Sequence, residues 1–596
     1  MTSYTPPLRD IDFVLNEIVD VSDLVEASRF QGVDVDTVRT VLAEIGRFMA
    51  EVVAPTNRDG DQIGAIRHDD GSVSTPDSFK KVYGQWVESG FGAIPFDPTY
   101  GGGGFPWTVA IVIQEMLTSA NMSLSLCPLL TQGAIDALQH HGSDQQKATY
   151  LPKMLTGEWA GTMNLTEPQA GSDVGALTSK AEPVGDGSFR ITGQKIFITY
   201  GEHDLAENVV HLVLARTPGS PPGTKGISMF LVPKHLVDDD GSLGDHNDVR
   251  CVSIEHKLGI HGSPTCVLSY GDDGGAIGWL IGEEGDGMRN MFTMMNNARL
   301  SVGLQGLALA ERAYQQALAY AIERKQGTAV GAERGTSSPI IDHADVRRML
   351  MTQRSWIDAM RCLIYSNAAA IDRSVAEDTE ADTTAARELA ELLTPLSKGL
   401  CTDLGNELTS LAVQIHGGMG YIEETGAAQH YRDARIAAIY EGTNGIQAAD
   451  LVARKLPMRA GGVVLDKLEE IDETAERLSD TVELEVFGAN LEAAVAACRR
   501  ATEWLLANGA MDPNHALAGS SPYLRLLGTV VCGGLMGRLG LAALSRQGED
   551  DDEFHEAKLV SARFFGEQLL PSVLGLEPAV TAGKEDLFAL SPDQLA

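Results

Sequence analysis

The sequence has few positive charges for its length. Lys and Arg together number 46 against 82 Asp and Glu, so the formal net charge of the 596-residue chain is -36. Binding to a nucleic-acid backbone needs Lys and Arg to neutralise phosphates, so this balance argues against a nucleic-acid partner. It argues equally against an anionic membrane surface. A small anionic ligand remains compatible with the sequence, because a local pocket can be basic on an acidic protein.

The usual signals for export and membrane insertion are also missing. The N-terminus, MTSYTPPLRDID, has no basic start followed by an apolar run, so we expect no signal peptide. The most apolar long stretch, residues 526–544, contains Arg538 and several glycines. We expect it to be too interrupted for a membrane span, which needs about 20 apolar residues.

Cysteine pairs and nucleotide-binding patterns are absent as well. The seven cysteines are scattered and show no CxxC spacing. They favour buried free thiols in a reducing, cytoplasmic compartment over a zinc site or a disulfide framework, and we expect no metal site. The patterns GxGxxG and GxxxxGK followed by Ser or Thr do not occur, so the usual sequence signs of a Rossmann dinucleotide site or a P-loop are missing.

What the sequence does contain is a residue pattern that changes along the chain from helix-like to strand-like and back to helix-like. At roughly 150 residues per domain, its length predicts about four domains. Apolar residues at helical spacing predict helices at 37–52 and 109–122. Between residues 157 and 285, short β-branched and aromatic runs alternate with turn residues, which predicts a β-barrel or sandwich. Helical patterns return at 287 and again after a linker at 457–462.

These residue patterns predict an α+β multidomain protein. Its expected parts are an N-terminal extension, an N-terminal α-helical domain, a middle β-barrel or sandwich domain, a helical-bundle domain and an extra C-terminal helical domain. The corresponding boundaries are 1–34, 35–156, 157–286, 287–456 and 463–596.

The first motif with chemical content is MNLTEPQAGSDVG at residues 163–175. Thr166 and Ser172 offer hydroxyl donors. Gly171 and Gly175 let the backbone approach a ligand closely and expose N–H groups that suit phosphate oxygens. Taken alone, the segment fits a polar surface loop as well as a ligand-binding loop.

The second motif is KIFITYG at residues 195–201. Strand alternation places Phe197 and Thr199 on the same face. An aromatic ring beside a hydroxyl suits contact with a planar heterocycle, although an ordinary half-buried strand has the same pattern.

The third motif joins YRDAR at 431–435 to YEGTNGI at 440–446. Glu441 follows a helical run and precedes Gly442, which permits a turn that aims the carboxylate into a cleft. A carboxylate in an apolar cleft has a raised pKa and can act as a base. A surface glutamate near a helix end is the alternative.

Together the motifs match one family in order and spacing. The chain resembles the acyl-CoA dehydrogenases, which are FAD flavoproteins, over about residues 35–455. The patterns TEPxAGSD and YxDARIxxIYEGTxxIQ carry the resemblance, with NAR at 297–299, ERK at 323–325 and QIHGGMG at 414–420 between them. The extra segments at both ends resemble a long subgroup whose substrates include fatty acyl-CoA and 3-(methylthio)propionyl-CoA.

The resemblance implies roles for individual residues, with Glu441 as the catalytic base. FAD contacts are implied for Met163, Leu165, Thr166, Ser172, Phe197, Thr199, Arg324, Gln414, Gly418 and Thr443. Substrate contacts are implied for Ser172, Arg299, Tyr440, Glu441 and Gly442, with Arg299 on the CoA side. Arg324, Gln414 and Gly418 are expected to reach the FAD of a neighbouring subunit, and Phe197 stands where the family commonly has Trp.

The resemblance also implies a reaction and its partners. The thioester carbonyl accepts a backbone N–H near Glu441 and a ribityl hydroxyl of FAD, which acidifies the α-proton. Glu441 takes this proton while a hydride leaves the β-carbon for flavin N5, giving trans-2-enoyl-CoA. An electron-transfer flavoprotein is the expected acceptor. A homodimer is favoured over a tetramer, with the C-terminal helices packed over the main domain and helping to form it.

Two other functions remain open. An acyl-CoA oxidase of related fold would reduce O2 to peroxide, and one sequence does not reveal how oxygen reaches a flavin. A DNA-associated relative would need a basic face in its C-terminal part. Residues after 460 are not basic overall and include the acidic stretch 469–473, so the sequence disfavours this second alternative.

Overall fold

The computed structural model describes residues 3–30, 32–238, 240–376, 379–548 and 551–596. Its contacts group the chain into two compact units. The helical unit comprises Met1–Gly46, Pro106–Glu115 and Arg299–Ala596, and the sheet unit comprises Arg47–Phe105 and Met116–Ala298.

The α-helices dominate both ends of the chain. In chain order they are α1 Leu8–Val14, α2 Val21–Glu26, α3 Val35–Phe48, α4 Asn57–Gln62, α5 Asp77–Ser89, α6 Trp107–Ala120, α7 Met122–His141, α8 Asp144–Thr156, α9 Gly287–Glu323, α10 Ala344–Ala376, α11 Glu380–His416, α12 Ala427–Ala434, α13 Asn444–Asp450, α14 Gly462–Ser479, α15 Glu485–Met511, α16 Pro513–Ala518, α17 Ser520–Ser545, α18 Asp552–Phe564, α19 Glu577–Thr581 and α20 Pro592–Leu595.

Helix boundaries follow local capping as well as the apolar pattern. The predicted helix at 37–52 corresponds to α3 and the π-helical turn that continues it. The predicted helix at 109–122 is divided in the structure, because the side chain of Asn121 accepts a hydrogen bond from the backbone N–H of Leu124 and starts a new helix. The apolar pattern continues across this break, so it did not reveal the cap.

Among the residues that the structure describes, the strands lie in the first half of the chain. They are β1 Ile66–Arg67, β2 Val73–Ser74, β3 Trp159–Asn164, β4 Lys180–Pro183, β5 Ser188–Thr199, β6 Asn208–Ala215, β7 Ser228–Pro233, β8 His235–Val237, β9 Leu243–His246, β10 Val249–Ile254, β11 Thr265–Tyr270 and β12 Ala276–Ile281.

The predicted middle β domain is confirmed, and its main feature is one eight-stranded sheet within the described residues. The strand order is β10-β11-β5-β12-β7-β6-β3, with β4 added to β5. The β3–β6 pair is parallel and the other pairs are antiparallel. The long strand β5 therefore joins both halves of the sheet, and it carries the KIFIT motif at its end.

In the helical unit, α17 is the central helix of the C-terminal segment and packs against α10, α11, α14 and α15. Contrary to the expectation that Arg538 and the glycines interrupt it too much, this helix is long and apolar enough to cross a membrane. In the protein, however, 83% of its most apolar 18-residue window is buried. Its glycines allow this packing. A Cβ added to Gly534 would lie 2.8 Å from Ile471, and one added to Gly528 would lie 2.9 Å from Leu400.

Buried charges connect the C-terminal segment to the rest of the helical unit. Lys558 on α18 has no exposed side-chain surface, and its Nζ lies 2.6 Å from Asp358 on α10. It also pairs with Asp10 on α1. The Ser561 hydroxyl donates a second bond to Asp358 at 2.7 Å. The expected packing of the C-terminal helices over the main helices is thus present within this unit.

Candidate active site

Glu441 occupies a turn between two short helical segments of the helical unit. Its φ is +57°, in the left-handed region that non-glycine residues rarely adopt, and the next residue, Gly442, has φ +81°. Helix α13 follows at once, with the Thr443 hydroxyl accepting the backbone N–H of Ile446 at 3.2 Å as its N-cap. Sequence reasoning anticipated the turn but not the strained backbone of the glutamate itself.

The surroundings of Glu441 make its carboxyl group a base near neutral pH. Burial raises its pKa from 4.5 to about 7, and the charges of Arg299 and Lys398 act in the opposite direction without cancelling the effect. A carboxylate with a pKa in this range is ionised in much of the population at pH 7 and still basic enough to accept a proton.

Arg299, expected at the CoA side, lies next to Glu441 in the helical unit. Its side chain is almost fully buried, with 7% of the residue exposed. Burial lowers the pKa of Arg299, while Asp450 and Glu441 attract its charge. The guanidinium therefore acts on the electrostatics of the glutamate.

Tyr440 is held by a residue that the motifs did not single out. Its hydroxyl donates to Oε1 of Gln305, which is fully buried on α9. Burial raises the pKa of Tyr440, so the phenol stays neutral and remains a donor. Within the described residues the Gln305 Nε2 group has no hydrogen-bond partner, so a donor is left available beside Tyr440.

Sequence reasoning also missed Lys398, and it assigned no role to Asn444 although this residue lies in the third motif. Lys398 on α11 is completely buried and its Nζ donates to Oδ1 of Asn444 at 2.8 Å. Asn444 is the first residue of α13, directly after the Glu441 turn. The one available sequence signal was a charged residue within an otherwise apolar stretch of helix.

In the sheet unit, the TEPxAGSD and KIFIT motifs lie side by side. The backbone N–H of Ile196 donates to the carbonyl oxygen of Thr166 at 2.9 Å. Lys195 Nζ donates to the carbonyl oxygen of Leu165 at 3.0 Å. Met163 precedes them near the end of β3. The structure thus brings together the predicted residues of both motifs.

Phe197 projects from this edge of the sheet. Its φ is +60° and 58% of the residue is exposed, whereas neighbouring Ile198 is buried. The register between β5 and β11 shifts here, because two residues on β5 oppose one on β11. The bulge turns the Phe197 ring outward near the partly buried Thr199. An exposed ring beside hydroxyl groups suits a flat heterocycle.

A buried ion pair between Glu167 and Lys195 stabilises the TEPxAGSD loop. Burial alone would raise the pKa of Glu167, but the Lys195 ammonium at 2.8 Å and hydrogen bonds from Thr178 and Ser179 lower it to about 2. The two carboxylate oxygens of Glu167 therefore connect the start of the loop to the backbone that follows it. Glu167 and Lys195 were within the motifs, yet the sequence did not show that they pair.

Ser172 is exposed at the start of a loop that leads to a cavity of about 690 Å³. The cavity is lined by residues 175–178, by Lys180 and by Arg216 with the loop that follows it. The Arg216 guanidinium donates to the carbonyl oxygens of Leu177 and Pro221. Glu182 also lines the cavity, so its carboxylate offsets part of the positive charge of Lys180 and Arg216. The remaining positive charge is compatible with an anionic ligand.

Arg324, Gln414 and Gly418 lie near the adjoining ends of α9 and α11 in the helical unit. Tyr320 stacks on His416 with ring centroids 4.6 Å apart, which holds these ends together. All three predicted residues are exposed, so this surface is accessible to another molecule.

Family models match four consecutive parts of the chain. Their descriptions are Acyl-CoA dehydrogenase, N-terminal domain, at 36–158; Acyl-CoA dehydrogenase, middle domain, at 162–272; Acyl-CoA dehydrogenase, C-terminal domain, at 285–456; and Acetyl-CoA dehydrogenase C-terminal like, at 467–591.

The chain is also similar to curated and solved proteins along nearly its whole length. A 3-methylmercaptopropionyl-CoA dehydrogenase of Ruegeria pomeroyi is 44% identical, covering 99% of this chain and 100% of the relative. A butyryl-CoA dehydrogenase of Syntrophomonas wolfei is 37% identical over 97% of both chains. The acyl-CoA dehydrogenase from Bacillus anthracis, solved with FAD, has the same fold, with a TM-score of 0.74, 21% identity and coverage of 98% of this chain and 93% of its own. The chain therefore belongs to the acyl-CoA dehydrogenases, enzymes that are FAD flavoproteins.

Proposed function

We propose that the chain oxidises an acyl-CoA thioester to trans-2-enoyl-CoA, with Glu441 as the base that removes the α-proton. The observation that carries this proposal is the half-buried Glu441 residue, whose carboxyl pKa is raised to about 7. With this pKa, a substantial part of the population is ionised at neutral pH and can accept a proton. We assign the backbone N–H groups of the turn at Gly442 as donors to the thioester carbonyl oxygen.

We assign the flavin ring to the edge of the sheet unit where the two motifs meet. The exposed Phe197 ring and the hydroxyls of Thr166 and Thr199 fit a planar heterocycle that has polar edges. FAD, when bound, supplies the acceptor for the hydride that leaves the β-carbon. The residues assigned to it here are Met163, Leu165, Thr166, Ser172, Phe197 and Thr199.

In the helical unit, the assigned FAD contacts are Arg324, Gln414, Gly418 and Thr443. The first three are exposed, as contacts to the cofactor of a second subunit must be. Thr443 uses its hydroxyl oxygen as the cap of α13, so its hydroxyl hydrogen is left to donate to the cofactor.

For the substrate, we propose a 3-(methylthio)propionyl or a fatty acyl thioester of CoA. The 44% identical relative is named for the thioether substrate, and the 37% identical relative is named for butyryl-CoA. Ser172 and the cavity with Lys180 and Arg216 are assigned to the anionic end of CoA. Arg299, Tyr440 and Gly442 are assigned to the reacting end.

The wider context of the enzyme is proposed with the same reasoning. We propose an electron-transfer flavoprotein as acceptor, a homodimer that the C-terminal helices help to form, and a cytoplasmic location. The functional domains follow the boundaries 35–156, 157–286, 287–456 and 463–596, with the N-terminal extension before them.

The base assignment is tested with a single variant. Glu441→Gln keeps the size of the side chain and cannot take up a proton, so we expect flavin bleaching by substrate to slow by about 100- to 10,000-fold while FAD content is unchanged. Glu333→Gln, on an exposed loop, is the matched control and is expected to bleach at the native rate. Native bleaching by Glu441→Gln would refute the assignment.

The substrate and acceptor are tested with the unmodified enzyme. An anaerobic panel of acyl-CoA thioesters, including a thioether, ranks substrates by their bleaching rate. If neither thioether nor fatty acyl thioesters bleach the flavin, the proposed substrate class is wrong. Peroxide release that matches substrate consumption in air would indicate the oxidase instead.

A further inference from the structure

Lys398 is an ammonium group without exposed surface inside the helical unit. Moving an ammonium out of water is costly unless charges or hydrogen bonds compensate it. One neutral amide oxygen, that of Asn444 at 2.8 Å, is its hydrogen-bond acceptor. Burial lowers the pKa of Lys398 to about 8, Glu441 and Asp403 attract its charge, and Arg299 repels it. The lysine is thus held in a costly position beside the proposed base.

Asn444 connects the turn of Glu441 firmly to α11. Its Nδ2 donates to the carbonyl oxygen of Gly399 at 3.1 Å, to Thr402 Oγ1 at 2.9 Å and to Asp403 Oδ1 at 2.7 Å. Its Oδ1 faces Lys398. Both ends of the amide are therefore used, and the first residue of α13 cannot move away from α11 without breaking several bonds.

The turn needs such an anchor because its backbone is strained. A non-glycine residue in the left-handed region costs on the order of 1 kcal/mol or more and persists only where its surroundings hold it. Before Glu441, the Tyr440 hydroxyl is bound to Gln305. After it, the anchor is Asn444. The two contacts fix the strained residue from both sides.

We propose that Lys398 and Asn444 form a positioning pair for Glu441, in which Asn444 fixes the turn against α11 and Lys398, held by Asn444, supplies a positive charge that acts on the carboxylate. This inference rests on the proposed role of Glu441 as the base. Neither residue is assigned a contact with substrate or cofactor. Both act through the glutamate, so they are positioning residues.

The charge of Lys398 is tested by the pH profile of the enzyme. Lys398→Met keeps the length of the side chain and removes the charge, leaving Arg299 as the cation that opposes burial of Glu441. The acidic limb of kcat/KM, followed by flavin reduction, is then expected to move to higher pH by about one unit. Lys398→Arg keeps a charge and should leave the limb near its native position.

The anchor is tested separately with Asn444→Ser. The shorter side chain cannot span from Lys398 to Asp403, so the turn is released while the charge remains. We expect kcat to fall by up to about 100-fold with KM changed by less than about twofold, because a misplaced base slows the chemical step more than binding. The acidic limb should stay where it is.

Lys455→Met is the control variant. It removes the cation of the partly exposed pair with Glu391 in the same unit and should match the native enzyme in every readout. FAD content and absorption spectrum report whether each variant is folded. If Lys398→Met does not fold, Lys398→Arg decides the charge, and a shift of its limb similar to that expected for methionine overturns the role.

The inference and the proposed function fail in different ways. Native activity in Glu441→Gln would remove the base assignment regardless of Lys398. An inactive Glu441→Gln together with an unmoved limb in folded Lys398→Met overturns the role of the lysine. Native kcat in Asn444→Ser overturns the anchor.

Discussion

The raised pKa of Glu441 predicts a change in stability that is opposite to the change in activity. The folded protein disfavours the ionised carboxylate, so it binds a proton at Glu441 more tightly than the unfolded chain does. The contribution of this group to stability is complete below about pH 4.5 and is lost as the pH rises through about 7. Glutamine cannot ionise and does not incur this loss.

The magnitude follows from the shift itself. The pKa rises from 4.5 to about 7, and each unit corresponds to about 1.4 kcal/mol. Wild-type protein therefore loses about 3 kcal/mol of folding free energy between these pH values, beginning near the lower one and ending near the upper one. The free energy of unfolding of Glu441→Gln should therefore rise by this amount relative to the wild type over the same pH interval. Above that interval the difference should stay constant.

Thermal unfolding of the FAD-loaded proteins at pH 5, 6, 7 and 8 measures this difference. The melting temperature of Glu441→Gln relative to wild type should increase with each step up to pH 7 and level off above it. The exposed Glu333→Gln variant should keep a constant difference from wild type throughout. A difference in melting temperature between Glu441→Gln and the wild type that does not change with pH, or that grows towards low pH, would show that burial does not control the ionisation of Glu441.

Two further predictions concern the helical unit. Lys558→Met leaves Asp358 and Asp10 without their shared cation, and breaking such a buried pair should destabilise the protein by about 3–5 kcal/mol; a thermal shift no larger than that of a surface variant would contradict this. Gly306→Ala places a Cβ 2.0 Å from the carbonyl oxygen of Cys401, so two helices must separate at an expected cost of about 1–3 kcal/mol. An unchanged urea midpoint would contradict the close approach.

The sequence predicted the architecture well where the spacing of apolar residues followed the period of either a strand or a helix. The strand-like region formed an eight-stranded sheet and the two-stranded sheet β8-β9, and the flanking regions formed mainly helices. This follows because burial of one face imposes a period of two or of 3.6 residues. The number of strands in one sheet and the divided helix at Asn121 were not predictable in this way. They depend on pairing between distant strands and on one side-chain hydrogen bond.

The candidate site was predictable only where its residues form contiguous motifs. Thr166, Phe197 and Glu441 all lie in such motifs. Lys398 and Gln305 do not, since each lies alone on a long helix and reaches the Glu441 turn only through packing. A charged residue in an apolar helical stretch signals that a partner exists, but the sequence does not say which residue it is.

Phe197 and Glu441, which both lie in the motifs, have a strained backbone conformation. Phe197 and Glu441 both have a positive φ, although neither is a glycine or an asparagine. A chain selected only for stability would place glycine at such positions, because glycine adopts this conformation without the steric cost. Six other non-glycine residues among those that the structure describes, including Ile260 and Ala460, also have a positive φ, so strain alone does not mark a functional residue. At Phe197 and Glu441 the strain coincides with the motifs, which favours a use of their side chains that offsets it. The bulge beneath Phe197 and the Asn444 anchor beside Glu441 are the parts of the fold that hold these two side chains in place.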